Sequence, residues 1–313
     1  MRNSFVNALE EFNTPNTMLV TGDLGFGVLN GYRKKFPKQF LNVGVAEQNL
    51  TGIAAGLALE GKKVISYSIA NFNTLRAIEQ IRNDIAYHDL NVIIVAVGGG
   101  LAYGQLGVTH HATEDVAILR AIPNMTILAP GDKNEAYHIM KSLLLEDYGP
   151  VYLRIGRAGE ASLYKADEIN GIRIGKIHPL ICDNNAKIAF LSMGGMLEIA
   201  KKTHLTLKEK NIDSSVYSVH TVKPIDKNKI IEIFNKYDYI FSFEEHSIIG
   251  GLSSSIAETL IGNTAMDIGK FNSFALPSEF TSVVGDQNYL RNYYGISAEK
   301  ILQRIEKIIN INR

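Results

Sequence analysis

One carboxylate, one histidine and a set of glycines hold the chemistry of this 313-residue sequence. Glu47 stands in Asn42-Val43-Gly44-Val45-Ala46-Glu47-Gln48-Asn49, just past an apolar run and at the head of a stretch of small residues, Ile53-Ala54-Ala55-Gly56-Leu57-Ala58. A setting of Val45, Ala46, Ile53 and Ala54 would desolvate its carboxyl and favour the protonated, hydrogen-bond-donating form. Taken alone, Glu47 reads first as an ordinary acid in a helix's first turn, stabilised by the dipole. His110 ends Gly107-Val108-Thr109-His110 and is followed by His111. A histidine pair suggests a metal. Adjacent histidines in an extended segment point in opposite directions, however, and no carboxylates cluster around these two, so metal binding by this chain is not expected.

The 27 glycines gather at the ends of apolar runs: Gly22, Gly25 and Gly27, then Gly98-Gly99-Gly100, Gly104 with Gly107, Gly194-Gly195 and Gly250-Gly251. Ligands of doubly wound folds lie where strands pass into such loops. Glycine there admits close backbone approach or positive φ. Gly194-Gly195 and Gly250-Gly251 read better as tight turns. Conventional nucleotide motifs are missing, since Gly22-x-x-Gly25-x-Gly27 has the wrong spacing and no GxxxxGK[ST] loop occurs. No Gly-x-Ser-x-Gly elbow of a serine hydrolase occurs either. The lone cysteine, Cys182, makes neither an internal disulfide nor a multi-cysteine metal site. With no activating neighbour it is expected as a small core residue in a reducing compartment.

The elements that must position these residues are α/β. Met18–Val20, Phe40–Val43, Val64–Ile69, Val92–Val97, Met125–Leu128 and Val151–Ile155 read as strands. Between them, Leu75, Ile78, Ile81, Arg82 and Ile85 have helical spacing, with Asn73 or Thr74 as the cap, and Ala136 to Leu144 repeats the pattern. Such alternation implies right-handed crossovers and a mostly parallel sheet covered on both faces. Periodicity weakens from Gly156 to about Pro179, then resumes with strands at Lys187–Ser192, Val216–Val219 and Tyr239–Phe243. Helices are expected from Gly195 to about Lys210 and over Ser297–Ile311. The reading is two consecutive doubly wound, mostly parallel-sheet domains, over 1–158 and 179–313, with a linker at 159–178. Thirty-two basic against 32 acidic residues, 46% apolar residues and no apolar run near membrane-span length argue against nucleic acid, membrane and disorder. With no apolar signal core behind Met1, a soluble cytoplasmic protein is expected.

Three motifs in order carry a resemblance. The Glu47 segment, Gly107-Val108-Thr109-His110 with Leu119-Arg120-Ala121-Ile122-Pro123-Asn124, and Glu244-Glu245-His246-Ser247-Ile248-Ile249-Gly250-Gly251-Leu252 together resemble the transketolase family over about Arg2 to Ile308. The first part looks like its thiamine-diphosphate pyrimidine-binding domain and the last like its C-terminal domain. The family's Gly-Asp-Gly motif, which helps hold the diphosphate through Mg²⁺, is absent. The chain therefore resembles the C-terminal subunit of a split transketolase, transferring a two-carbon ketol unit between sugar substrates. The resemblance implies thiamine diphosphate as cofactor and an N-terminal partner subunit that carries Gly-Asp-Gly and most of the Mg²⁺ binding. It also implies a homodimer or a two-plus-two heterotetramer.

Residue by residue, the resemblance makes Glu47 the carboxyl that hydrogen-bonds the cofactor's pyrimidine nitrogen. Phe72 becomes the ring stacked on the pyrimidine, although Asn71 to Arg76 holds one residue more than the usual pattern and Ile69 replaces a second aromatic. Asp23 matches an acidic residue lining the cofactor site. A turn-forming Asp is nearly as good a reading. His110 matches the histidine that handles protons of the substrate's hydroxyl and carbonyl. Arg2 and Arg157 match phosphate-binding arginines, or are solvated surface arginines. His246 is read as structural or interfacial. Leu106 stands where the family has an Asp that meets a donor-sugar hydroxyl, and Gly27 and Gly98 stand where it has phosphate-contacting Ser and His. These departures point to an unusual or modified sugar. Two alternatives stay open: the β subunit of a 2-oxo-acid dehydrogenase, and a non-catalytic subunit of the same fold.

Overall fold

The structure is a computed structural model that describes residues 1–164, 169, 171–261 and 267–309. Its strands are β1 (Thr17–Thr21), β2 (Phe40–Asn42), β3 (Lys63–Ile69), β4 (Val92–Val97), β5 (Thr126–Leu128), β6 (Val151–Ile155), β7 (His178–Ile181), β8 (Ile188–Ser192), β9 (Ser214–Ser218), β10 (Thr221–Lys223), β11 (Tyr239–Ser247) and β12 (Phe271–Leu276). They form a seven-stranded sheet in the order β10-β5-β6-β4-β3-β1-β2 and a five-stranded sheet in the order β12-β11-β8-β9-β7. Every described pairing is parallel except β10 on β5 and β7 on β9. This is an α/β architecture with mostly parallel sheets.

Why β4 sits at the centre follows from its composition. Val-Ile-Ile-Val-Ala-Val is buried at all six positions, as a parallel strand covered on both faces requires. Its register aligns Ile69, Val97 and Ile155 in one row, and Thr21 lies level with Asn42 and Tyr67. The carboxyl ends of β1, β2, β3, β4 and β6 therefore share one edge. The loops that leave it carry Asp23, Glu47, Phe72, His110 and Arg157 in turn.

Several elements differ from the sequence reading. The segment read as one helix over Leu75 to Ile85 is broken into Phe72–Leu75, Ile78–Gln80 and a π-helical turn, Ile81–Ala86. Asn73 and Thr74 do not cap it. Both are buried within it, the Asn73 amide donating to the Val95 carbonyl at 3.3 Å and the Thr74 hydroxyl to the Ala70 carbonyl at 2.7 Å. Helix Arg2–Glu11 and strands β7, β10 and β12 have no counterpart in that reading. Strand β10 joins the edge of the first sheet although the strands on either side of it in sequence belong to the second, so the sheets are laced together. Cys182 is exposed rather than in the core, because it follows β7, a half-covered edge strand. Part of 159–178 and the end of the helix read to Ile311 fall outside the described residues; within them that helix is Ala298–Ile308, capped by Ser297.

The Glu244-Glu245-His246 motif continues the strand read over Tyr239–Phe243, and it is buried because every member is satisfied. Glu244 accepts from the Leu252 and Ser253 amides at 2.7 and 2.9 Å, capping helix Leu252–Leu260. Gly251 is required here, since a Cβ would lie 2.0 Å from the Glu244 carboxyl. Burial pushes that carboxyl up to about 7. Glu245 accepts from the Leu101 amide and from Gln287, both at 2.7 Å, and from Arg291. His246 accepts from the Ala117 amide at 3.3 Å and donates to the Ser247 carbonyl at 2.8 Å. Burial holds it neutral, its pKa pushed down to about 4.

Across the joint, Arg154 donates to Asp115 at 2.8 Å and to the Ala112 and Glu245 carbonyls at 2.9 and 3.1 Å. Arg120 reaches the Gly250 carbonyl at 2.7 Å and Glu258 at 2.5 Å. The Arg120-to-Asn124 motif and the Glu244-to-Leu252 motif are thus two faces of one junction. Among the described residues no helix is long and apolar enough to cross a membrane.

Removing one partner of a buried ion pair strands the other. Arg154→Ala should lower the unfolding free energy by about 3–5 kcal/mol in urea titration. A loss within about 1 kcal/mol, as for a surface pair, would contradict this account of the junction.

Candidate functional site

Glu47 opens helix Glu47–Leu59 and is only 5% exposed. Its Oε1 accepts from Arg76 Nη1 at 3.0 Å, while Oε2 has no hydrogen-bond partner among the described residues. Ala54 is buried beneath the helix, but Val45 turns outward and is 72% exposed, so Val45 does not desolvate the carboxyl. Phe72 begins the helical piece after β3 and is half-buried. Arg76, one turn further along, lays its guanidinium carbon 4.0 Å from the centre of the Phe72 ring. One cation therefore holds both the carboxylate and the ring.

His110 meets the other side of this group, its ring edge-on to Phe72 with centroids 5.0 Å apart. Asn71 ties the two loops together by donating to the Thr109 carbonyl at 2.6 Å. His110 Nδ1 lies 3.0 Å from the Thr109 hydroxyl. Burial first, then the charges of Arg76 and His111, hold the imidazole below its ordinary value and so favour the neutral base. The His110-His111 segment is a turn rather than extended, with the His110 amide donating to the Gly107 carbonyl at 2.9 Å. The rings still part company: His111 is buried and donates through Nε2 to the Gly104 carbonyl at 3.2 Å.

From His110 the row continues to Tyr103, centroids 6.1 Å apart, and from Tyr103 to Arg157, whose guanidinium carbon is 5.1 Å from the phenol ring. Arg2 lies beside the Tyr67 and Tyr103 phenols; burial raises both, Tyr67 to about 12, and the Arg2 charge opposes the rise. Arg2 and Arg157 also line a cavity of about 620 Å³ between the two domains. Glu47, Phe72 and His110 do not line that cavity, so the arginine pair marks where the row and the cavity meet.

Asp23 is exposed, in the left-handed region at φ 59, at the end of β1. Its amide donates to Asn42 Oδ1 at 2.9 Å and its carboxylate accepts from Asn42 Nδ2 at 3.1 Å. Asn42 Oδ1 also accepts from Gly44 at 3.1 Å, which fixes the loop leading to Glu47. No hydrogen bond joins Asp23 to Glu47 among the described residues. Leu106, 56% exposed in the turn Gly104–Leu106, presents an apolar face on the loop that carries His110.

Three residues escape sequence reasoning: Arg76, Asn42 and Tyr103. For Arg76 a signal exists, since it follows Phe72 by four residues and shares its helical face.

The site can hold an aromatic nitrogen heterocycle. A buried carboxylate with one free oxygen suits a ring nitrogen, and the half-buried ring beside it suits a flat face. Among the described residues no group of three or more His, Cys, Asp or Glu is placed to hold a metal ion.

Comparison with known proteins identifies the family. Residues 1–159 match the family described as transketolase, pyrimidine binding domain, and residues 179–301 match transketolase, C-terminal domain. The chain is 36% identical over 304 residues to one subunit of the apulose-4-phosphate transketolase of Phocaeicola vulgatus, covering 96% of this chain and 94% of that protein. It is 30% identical over 311 residues to a 6-deoxy-6-sulfo-D-fructose transketolase subunit from a Clostridium species, covering 98% and 94%. A solved structure described as a split gene transketolase, inactive beta4 tetramer, superposes with a TM-score of 0.85 at 30% identity, covering 100% of this chain and 98% of that one.

The Arg76 charge near His110 has a measurable consequence. In NMR titration the His110 imidazole should titrate below 6.5, and Arg76→Leu should move its midpoint upward. An unmoved midpoint would separate Arg76 from this cluster.

Proposed function

Because the chain belongs to the transketolase family, we propose that it is the pyrimidine-holding subunit of a split, thiamine-diphosphate-dependent transketolase. It works with an N-terminal subunit that carries the Gly-Asp-Gly motif and most of the Mg²⁺ binding. The observation that supports this reading is the buried Glu47 carboxyl, with one oxygen on Arg76, which also rests on Phe72, and the other free of any hydrogen bond among the described residues.

Thiamine diphosphate, when bound, supplies the electron sink for breaking and making the carbon–carbon bond beside a ketol carbonyl. The residues of this chain bind and orient. Glu47 Oε2, free of any hydrogen bond among the described residues, would meet a pyrimidine ring nitrogen. Phe72 offers its ring to the pyrimidine face. Arg76 fixes both side chains, so that neither must be ordered when the cofactor enters. Asp23, locked to Asn42, lines the approach to Glu47. His110, held neutral, takes and returns a proton at the substrate's hydroxyl or carbonyl oxygen. Arg2 and Arg157 hold the anionic end of the sugar.

A partner subunit is supported by what surrounds the site. Phe26, Val45, Leu75, Leu106 and Val108, all on the connections at this edge, are exposed apolar residues that assembly would cover. The assembly is read as a homodimer of this chain or as two copies with two partners, in the cytoplasm. Leu106 neither donates nor accepts a hydrogen bond, so a donor sugar with a hydroxyl there loses about 1–3 kcal/mol. An unusual or modified sugar is the donor that fits. The names of the two relatives, one for an apulose phosphate and one for a sulfonated fructose, accord with that choice.

In the reconstituted enzyme, Glu47→Ala should lower kcat by at least about 10²-fold while circular dichroism stays that of the wild type. Near-normal turnover with cofactor and partner saturating would remove Glu47 from the reaction. Xylulose 5-phosphate with ribose 5-phosphate should be a poor substrate pair. Rates typical of a general transketolase on that pair would overturn the reading of Leu106.

A further inference from the structure

We propose that Tyr103 completes the subsite for the substrate's terminal oxyanion, a phosphate or sulfonate, by placing its phenol between Arg2 and Arg157. The inference rests on the transketolase reading for the identity of the substrate, but not for the existence of the subsite.

The first observation is at Gly98. Residue 98 follows the carboxyl end of β4 at φ 81, and a Cβ built there would lie 2.1 Å from the Tyr103 ring. No side chain fits at 98 unless the ring moves away. The residue type at 98 and the ring at 103 are therefore one arrangement: glycine leaves the space and Tyr103 fills it. The second observation is electrostatic. The Arg157 guanidinium lies over the Tyr103 ring, Arg2 lines the same cavity as Arg157, and the charge of each arginine opposes the rise that burial gives the Tyr103 phenol. Neither arginine has a carboxylate partner within ion-pair distance among the described residues, in contrast to Arg154, Arg120 and Arg291. Glu160 lines the same cavity but is taken up by the Met1 ammonium at 2.7 Å, so two arginines that no carboxylate pairs, beside a hydroxyl donor, form a receptor for an anion. The third is position. Tyr103 is the ring between His110 and Arg157, so an oxyanion held there leaves the rest of the sugar extending toward His110 and Phe72.

A role for Tyr103 as a mere platform under Arg157 makes a different prediction. Tyr103→Phe keeps the ring, the contact with Arg157 and the packing against Gly98, and removes only the hydroxyl. Tyr103→Leu removes both.

Inorganic phosphate is the probe. It is titrated into the full chain with ¹³C-labelled tyrosine, and the Tyr103 signal is assigned by its loss in Tyr103→Phe. The proposal expects the Tyr103 signal to shift on saturation, the shift to vanish in Arg157→Gln, and calorimetry to show phosphate binding weakened about tenfold in Tyr103→Phe. It is overturned if phosphate leaves the Tyr103 signal unmoved, or if Tyr103→Phe binds phosphate as wild type does and only Tyr103→Leu is weakened. None of these readouts uses turnover, so failure of the transketolase reading would show instead in the Glu47 variant, with phosphate binding intact.

Discussion

The site depends on how one buried carboxylate is partnered. Glu47 gives one oxygen to Arg76 and keeps the other free, on a residue that is only 5% exposed. A polar atom in such a place is costly unless something meets it. Arg76 also rests on Phe72, so a single cation, itself half-exposed, touches both the carboxylate and the aromatic ring. The geometry is prepared before any ligand arrives, which reduces the ordering cost of binding.

What keeps that geometry in place lies far from it in sequence. The loop bearing Tyr103 and His110 is closed at both ends: the Leu101 amide is held by Glu245, and the Gly100–Ala112 bridge returns the chain to the Arg154 guanidinium. Asp115, which pairs with Arg154, opens the helix that leads to Arg120 and its contacts with Gly250 and Glu258. The second domain thus acts on the site through the junction. Its Glu-Glu-His motif caps a helix, anchors Leu101 and receives Ala117, so each member has a separate mechanical task.

The fold was legible where the hydrophobic pattern was strong. Val92–Val97 and Val151–Ile155 are strands at the bounds the sequence indicated, because continuous β-branched runs admit few other structures. Three-residue β10 was invisible because its pairing with β5 is set by a distant part of the chain. The extension of β11 through Glu244-Glu245-His246 was hidden because charged residues read as surface until their partners are known. The break after Leu75 was hidden in the same way: the Thr74 hydroxyl and the Asn73 amide find backbone carbonyls that spacing alone does not reveal. Of the site, Glu47, Phe72 and His110 could be named from motif context, and the structure brings them into one contact row through Arg76. Tyr103 could not be named, since its role appears only when Gly98 is seen to make room for it.

On the proposed function, this chain holds half of a cofactor pocket and should bind little of the cofactor by itself. Isothermal titration of thiamine diphosphate with Mg²⁺ into this chain, into the N-terminal subunit and into their mixture tests that claim most directly. The account predicts tight binding by the mixture and at least about a hundredfold weaker binding by this chain alone, the penalty of leaving a diphosphate without its cation site. Equal affinity for this chain alone and for the mixture would contradict it.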